Sequence, residues 1–249
     1  MPHLAPDRPF TLIHVGKCGG GSVLAALRTA GYRVEHVHLQ RPADEADCRY
    51  VVLVRDPVAR FVSAFNWRRH LYLNGGLPPK ARKGRVADLR HYAEREFIFE
   101  FETVNSLAEQ LSVGENLAVS PASALLPLIG HVPQGFDWYL RDLIDKIKPE
   151  QLAGVICTEN LAADFEHLFG FPLEQGVHRS NANASKHVSK NGRGNLAREF
   201  FREYVALEKL ARLAHRANVR MSMRYDPALG AVPDLPWERH SQGPNSPSA

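Results

Sequence analysis

Residues 10–22, FTLIHVGKCGGGS, constrain the fold of this chain more than any other stretch. An apolar run containing Phe10, Leu12, Ile13 and Val15 enters a turn that holds Lys17 and three consecutive glycines, Gly19, Gly20 and Gly21, and the helix-forming VLAALRTAG follows. A strand that feeds a glycine turn and then a helix is the opening unit of an α/β domain. Glycines let the backbone approach an anion and aim its N–H groups at it. The helix start beyond them offers unpaired N–H groups and a partial positive charge. Ser22 can cap that helix or donate to the anion, and Lys17 adds a full charge beside the loop. The turn has the size and polarity to cradle a phosphate.

The alternation of elements continues downstream. Residues 22–30 read as a helix closed by Gly31. Residues 32–39, YRVEHVHL, alternate with period two, placing Val34, His36 and His38 on one face and Glu35, Val37 and Leu39 on the other. A polar turn separates them from a buried strand at residues 50–54, which ends in Arg55-Asp56-Pro57. Asp56 is a strong helix cap and Pro57 is preorganised for a first helical turn, so Arg55 falls at the carboxyl end of a strand, where open α/β sheets bind ligands. Helical spacing recurs over residues 86–112 with a break near Glu102, over 120–129 after Ser-Pro, and over 137–148; residues 152–157 read as a strand, and 158–170 and 196–217 as helices. The expected architecture is α/β, a P-loop-like three-layer domain with a central parallel sheet of about four or five strands flanked by helices. Residues 10–230 form this domain, 1–9 a flexible N-terminus and 231–249 a disordered Pro/Ser-rich tail.

Composition narrows the class. At 249 residues, 44% hydrophobic and 23% charged, the chain suits one large globular domain. A net charge of +4 with scattered basic residues does not resemble a nucleic-acid-binding tail. Cys18, Cys48 and Cys157 lie far apart, are odd in number and lack metal-ligand spacing, which points to a reducing, cytoplasmic setting with no metal site. Residues 1–9 lack the apolar core of a leader, and no window approaches a membrane span, so no membrane insertion is expected.

Residue order separates the first turn from the nucleotide-triphosphatase loop, whose lysine follows its glycines. With His14, Lys17, Gly19, Gly20 and Ser22 in this order, the stretch is similar to the 5′-phosphosulfate loop, H-x-x-K-x-G-G-x-S, of the carbohydrate group of sulfotransferases that use 3′-phosphoadenosine 5′-phosphosulfate (PAPS). Cys18 and Gly21 depart from it, and Gly21 removes a side-chain donor that relatives often supply with threonine. RDPVARFVSAF, from Arg55 to Phe65, resembles the same family's 3′-phosphate motif, with Phe65 in place of tyrosine. The resemblance extends from Phe10 to about Leu213. It implies that Lys17, Cys18, Gly19, Gly20, Gly21 and Ser22 hold the 5′ end of PAPS, that Arg55 and Ser63 hold the 3′-phosphate, and that a basic loop with Lys186, Lys190 and Arg193 covers it.

The same resemblance implies sulfuryl transfer to a hydroxyl of a carbohydrate or other hydroxyl-bearing acceptor. Lys17 would meet charge growing on the bridging oxygen. His36 or His38, spaced like the His-x-His pair of uronyl 2-O-sulfotransferases, would be the base. Glu35, or a histidine elsewhere such as His70 or His131, remains an alternative base. Lys80, Arg82, Lys83 and Arg85 form a basic loop able to face an anionic acceptor. Two other functions stay open: a P-loop-type kinase acting on a small molecule, and a catalytically silent adenosine-nucleotide-binding protein.

Overall fold

A computed structural model describes residues 4–76, 85–111, 120–173 and 185–223. Lys80, Arg82 and Lys83, the first part of the Asn/Ser-rich loop ahead of Lys186, and the tail at 231–249 lie outside the described residues. Four strands, β1 (Phe10–His14), β2 (Val34–Val37), β3 (Tyr50–Val54) and β4 (Leu152–Cys157), form one sheet in the order β2-β1-β3-β4. Every pairing is parallel, with Leu12 opposite His36 on one side and opposite Val51 on the other. The inner strands are apolar on both faces because helices cover both: β3 is buried along its whole length and β1 up to His14.

From β1 the chain crosses through α1 (Gly20–Thr29) to β2 on one side, whereas β3 pairs with β1 on the other. The carboxyl ends of β1 and β3 therefore flank the point where the winding reverses, the crevice in which open α/β sheets bind ligands. α2 (Pro57–Leu73) leaves β3 through Asp56, whose side chain accepts from Ala59 N at 2.8 Å as expected of a cap. α3 (Arg85–Phe99) and α4 (Val104–Gln110) follow, broken at residues 100–103, and Thr103 caps the second of them. α5 (Pro121–Leu125) is opened by Ser120, which accepts from Ser123 N. α6 (Phe136–Ile144), β4 and α7 (Leu161–Phe169) precede the last pair, α8 (Lys190–Glu199) and α9 (Phe201–Arg216).

The core has two parts. One joins the sheet to α1, α6, α7 and α9 through Leu27, Leu53, Phe136, Phe165 and Leu207. The other binds α2, α3, α4 and α8 through Phe61, Phe65, Ile98, Leu107 and Leu196. α9 ties them together: Tyr204 donates to Asp56 at 3.0 Å, and Glu203 accepts from Phe136 N at 2.5 Å while facing the buried Arg60.

Several local expectations change. The first helix begins at Gly20 with Gly19 as its cap, φ +77°, so Ser22 sits inside the first turn and does not cap it. Gly19 can enter the left-handed region that the turn needs, and the helix starts as soon as the chain leaves it. β2 is shorter than the alternating stretch, because Leu39 adopts a left-handed φ of +58° and ends the ladder. Lys190 and Arg193 lie on α8, not in a loop. Its glycines and asparagines read as coil, but Ser189 caps the helix and Asn195 Nδ2 donates to Ala108 O at 3.0 Å, offsetting the poor propensity. The last helical stretch is divided at Phe200 into α8 and α9. Near the N-terminus Leu4 is buried, its N–H donates to Leu168 O and its carbonyl accepts from Tyr32. Among the described residues no helix is long and apolar enough to cross a membrane.

Candidate anion-binding site

The turn after β1 and the turn after β3 meet. The guanidinium of Arg55 donates through Nη1 to the carbonyl of Lys17 at 3.1 Å, so the two stretches singled out as anion cradles share one crevice. Lys17 is left-handed with φ +71°, and with Gly19 at +77° it curls the loop tightly before α1. A lysine in that region is strained by about 1 kcal/mol. Leu161 packs against Gly19, where an added Cβ would come within 3.1 Å of it, and closes the far side of the loop.

Neither Lys17 nor Arg55 is in an ion pair among the described residues. The ammonium of Lys17 lies 4.6 Å from the centre of the Trp67 ring, a cation–π contact from α2. Burial, and then the positive charges of Arg55 and Arg68, lower its pKa to about 8. Two unneutralised cations beside a helix N-terminus favour an anion.

A second group of side chains borders the loop. His14, at the end of β1, packs its ring against Gly20 so closely that a Cβ there would fall 2.1 Å from it. Its Nδ1 is 3.0 Å from His36 Nε2, one donating and the other accepting. His38 stacks on His14 with ring centres 4.3 Å apart and donates from Nδ1 to the His14 carbonyl at 2.9 Å. A carbonyl only accepts, so the proton of neutral His38 is on Nδ1 and its Nε2 carries the lone pair. His131 adds a fourth ring, 5.8 Å from His38 and 5.5 Å from Trp67. Burial, reinforced for His14 by His38 and for His131 by Lys17, lowers both pKa values to about 3. His36 is lowered as well, by burial first and then by His38 and Arg28.

The other sequence-predicted residues divide. Gly19, Gly20, Gly21 and Ser22 make the loop and the first turn of α1. Cys18 sits in the loop, but its thiol is wholly buried, faces the Gly16 carbonyl, and is pushed up to about 12 by that burial. It can offer a ligand only its backbone. Ser63 lies two turns into α2 on the stripe that runs from Ala59 to Asn66, and Asn66 Nδ2 donates to Ser185 O, bringing the Lys186 segment alongside. Arg193 donates to Val188 O and acts electrostatically on Asp56, so it faces the same corner. Lys186 and Lys190 are exposed. Glu35 points away from the histidines and accepts from Thr11 on the other face of the sheet. His70 is exposed near the far end of α2, about 20 Å along the helix from Asp56.

Sequence reasoning gave no role to Trp67, and none to His14 beyond its place in the motif. Trp67 follows Ser63 by one helical turn, a spacing that carries a signal once the helix is placed. The pairing of His14 with His36 needs the β1–β2 register, which local sequence does not encode. Among the described residues no group of three or more His, Cys, Asp or Glu side chains is arranged to hold a metal ion. The sequence matches no protein-family model, no curated protein and no solved structure.

Proposed function

We propose that the chain is a PAPS-dependent sulfotransferase that moves a sulfuryl group to a hydroxyl, most suitably on a carbohydrate. The observation that carries the proposal is the meeting of two unneutralised cations, Lys17 and Arg55, in adjacent turns at the point where the sheet's winding reverses. A nucleotide with phosphate at both ends needs two donor clusters within one crevice, and arginine's planar fork suits a terminal phosphate. In this reading the loop from Lys17 to Ser22 holds the 5′ end and Arg55, with the Ser63 stripe, holds the 3′-phosphate. PAPS supplies an activated sulfuryl group whose release leaves charge on a phosphate oxygen. Lys17 answers that charge, and Nε2 of His38 takes the proton of the acceptor hydroxyl. His36 is occupied by His14 and supports the pair.

The carboxylates beside the crevice favour this over a magnesium-dependent kinase. Asp56 is used by Ala59 N and Tyr204, and Glu159 accepts from Asp56 N at 3.0 Å. The three unpaired cysteines suit a reducing, cytoplasmic setting. The test is incubation of the purified chain with sulfur-labelled PAPS and a panel of glycans and small alcohols, beside calorimetry with 3′,5′-diphosphoadenosine. Label should pass to at least one acceptor, and Arg55→Ala should weaken nucleotide binding by at least about tenfold. Binding without transfer to any acceptor would leave a silent nucleotide-binding protein, and unchanged affinity in Arg55→Ala would remove the 3′-phosphate assignment.

A further inference from the structure

His131 is held in place by two buried ion pairs that lie outside the loop it faces. Glu94 on α3, paired with Arg68 and Tyr72 of α2, accepts from Gly130 N at 2.7 Å and fixes the turn just before it. Arg60, paired with Glu203, donates to the His131 carbonyl at 2.7 Å. Between these anchors His131 adopts a left-handed φ of +73°, a strained state for a non-glycine residue that persists where the surroundings over-determine it.

The ring's two nitrogens differ. Nδ1 is sealed from solvent against the Gly16 backbone, where a Cβ would come within 2.5 Å, and has no hydrogen-bond partner among the described residues. A buried N–H without an acceptor is among the rarest of polar groups. The proton of the neutral ring therefore belongs on Nε2. His38 is the reverse case, with its proton committed at Nδ1 and a lone pair at Nε2. His38 and His131, with tilted rings whose centres lie 5.8 Å apart, thus present an acceptor and a donor. Trp67, which carries the Lys17 ammonium over its ring, lies 5.5 Å from His131.

We infer that His131 is a catalytic hydrogen-bond donor, whose Nε2–H binds a peripheral oxygen of the sulfuryl group that Lys17 and His38 serve. The inference rests on the sulfotransferase reading and assigns a residue which that reading leaves idle. In the step, His38 Nε2 takes the acceptor's proton and the acceptor oxygen forms its bond to sulfur. The bond from sulfur to the bridging oxygen breaks, its electron pair staying on the nucleotide phosphate that Lys17 faces. His131 keeps its proton throughout and, buried as a neutral ring, takes up no second one.

Long-range nitrogen–proton NMR of the nitrogen-15-labelled chain reads the tautomer directly, independent of turnover. The expected result is protonation of His131 at Nε2, and protonation at Nδ1 would overturn the inference. Kinetics supply the second arm. His131→Asn suits the left-handed backbone but its amide reaches only as far as Nδ1, so kcat should fall about 10²-fold with unchanged affinity for 3′,5′-diphosphoadenosine. His131→Gln, whose amide nitrogen reaches the Nε2 position, should stay within about tenfold of the wild type. A wild type that transfers label beside a His131→Asn variant with undiminished kcat and an unchanged melting temperature defeats this inference alone. A wild type inert on every acceptor defeats the sulfotransferase reading with it.

Discussion

At the scale of single residues, the site depends on which partner each charged or titratable group has already taken. Among the described residues Lys17 and Arg55 have no carboxylate partner, whereas Arg60 and Arg68 are committed to Glu203 and Glu94. Removing a committed arginine would strand a buried carboxylate and threaten the fold; removing Lys17 should leave the fold intact. Lys17→Ala is therefore expected to lower kcat by about 10² to 10³ without loss of stability, and near-normal turnover would take Lys17 out of the mechanism. The histidine pair should split: His38→Ala should cost about 10² to 10⁴ in rate as the base, and His36→Ala less than about tenfold. Comparable losses in both would contradict the tautomer assignment. Lys17, Arg55 and the His-x-His pair were legible because each belongs to a short local pattern. Trp67 and the linkage of His14 to His36 were not, since they arise only when α2 and β2 are laid beside β1.

At the scale of elements, α1 and β1 are coupled through one missing side chain. Gly20 opens α1, and the His14 ring occupies the space a Cβ would need. Gly20→Ala should displace that ring, cost about 1 to 3 kcal/mol, and weaken affinity for 3′,5′-diphosphoadenosine as well. Gly31, also left-handed at φ +78° but with open space around it, is the control. Gly31→Ala should cost about 1 kcal/mol and leave affinity unchanged. Denaturant unfolding and calorimetry on the two variants read both quantities, and equal affinity losses would break the link between His14 and the loop. Most elements could be read from pattern alone, as the strand–cap–helix run at β3 and α2 shows. The split between α8 and α9 could not, because Gly192 and Gly194 argue against a helix that tertiary contacts at Asn195 and Leu196 nevertheless stabilise.

Taken as a whole, the molecule buries imidazoles where acid will find them. His14 and His131 have pKa values near 3 in the folded chain against an ordinary 6.5. The unfolded chain therefore takes up their protons first as pH falls, and stability present above pH 6.5 is lost progressively toward pH 3. Each group adds a slope of about 1.4 kcal/mol per pH unit within that window. Burial raises Asp56 and Glu203 instead, so these carboxylates work in the opposite sense as they take up protons. Comparison with a variant isolates one histidine: between pH 6 and 4.5, the unfolding free energy of His131→Gln should decline less steeply than that of the wild type by about one proton's slope. Parallel declines would show that His131 is not buried as a neutral ring.

The order of the strands has a further consequence. Lysine and arginine are issued by the two strands nearest the centre, while His36 lies on, and His38 just beyond, a short border strand that pairs on one side only among the described residues. A change at His36 or His38 therefore touches the outermost ladder, β2 against β1, and not the register of β1 against β3. A lineage built on this plan could trade one clientele for another while its anion grip stays unaltered.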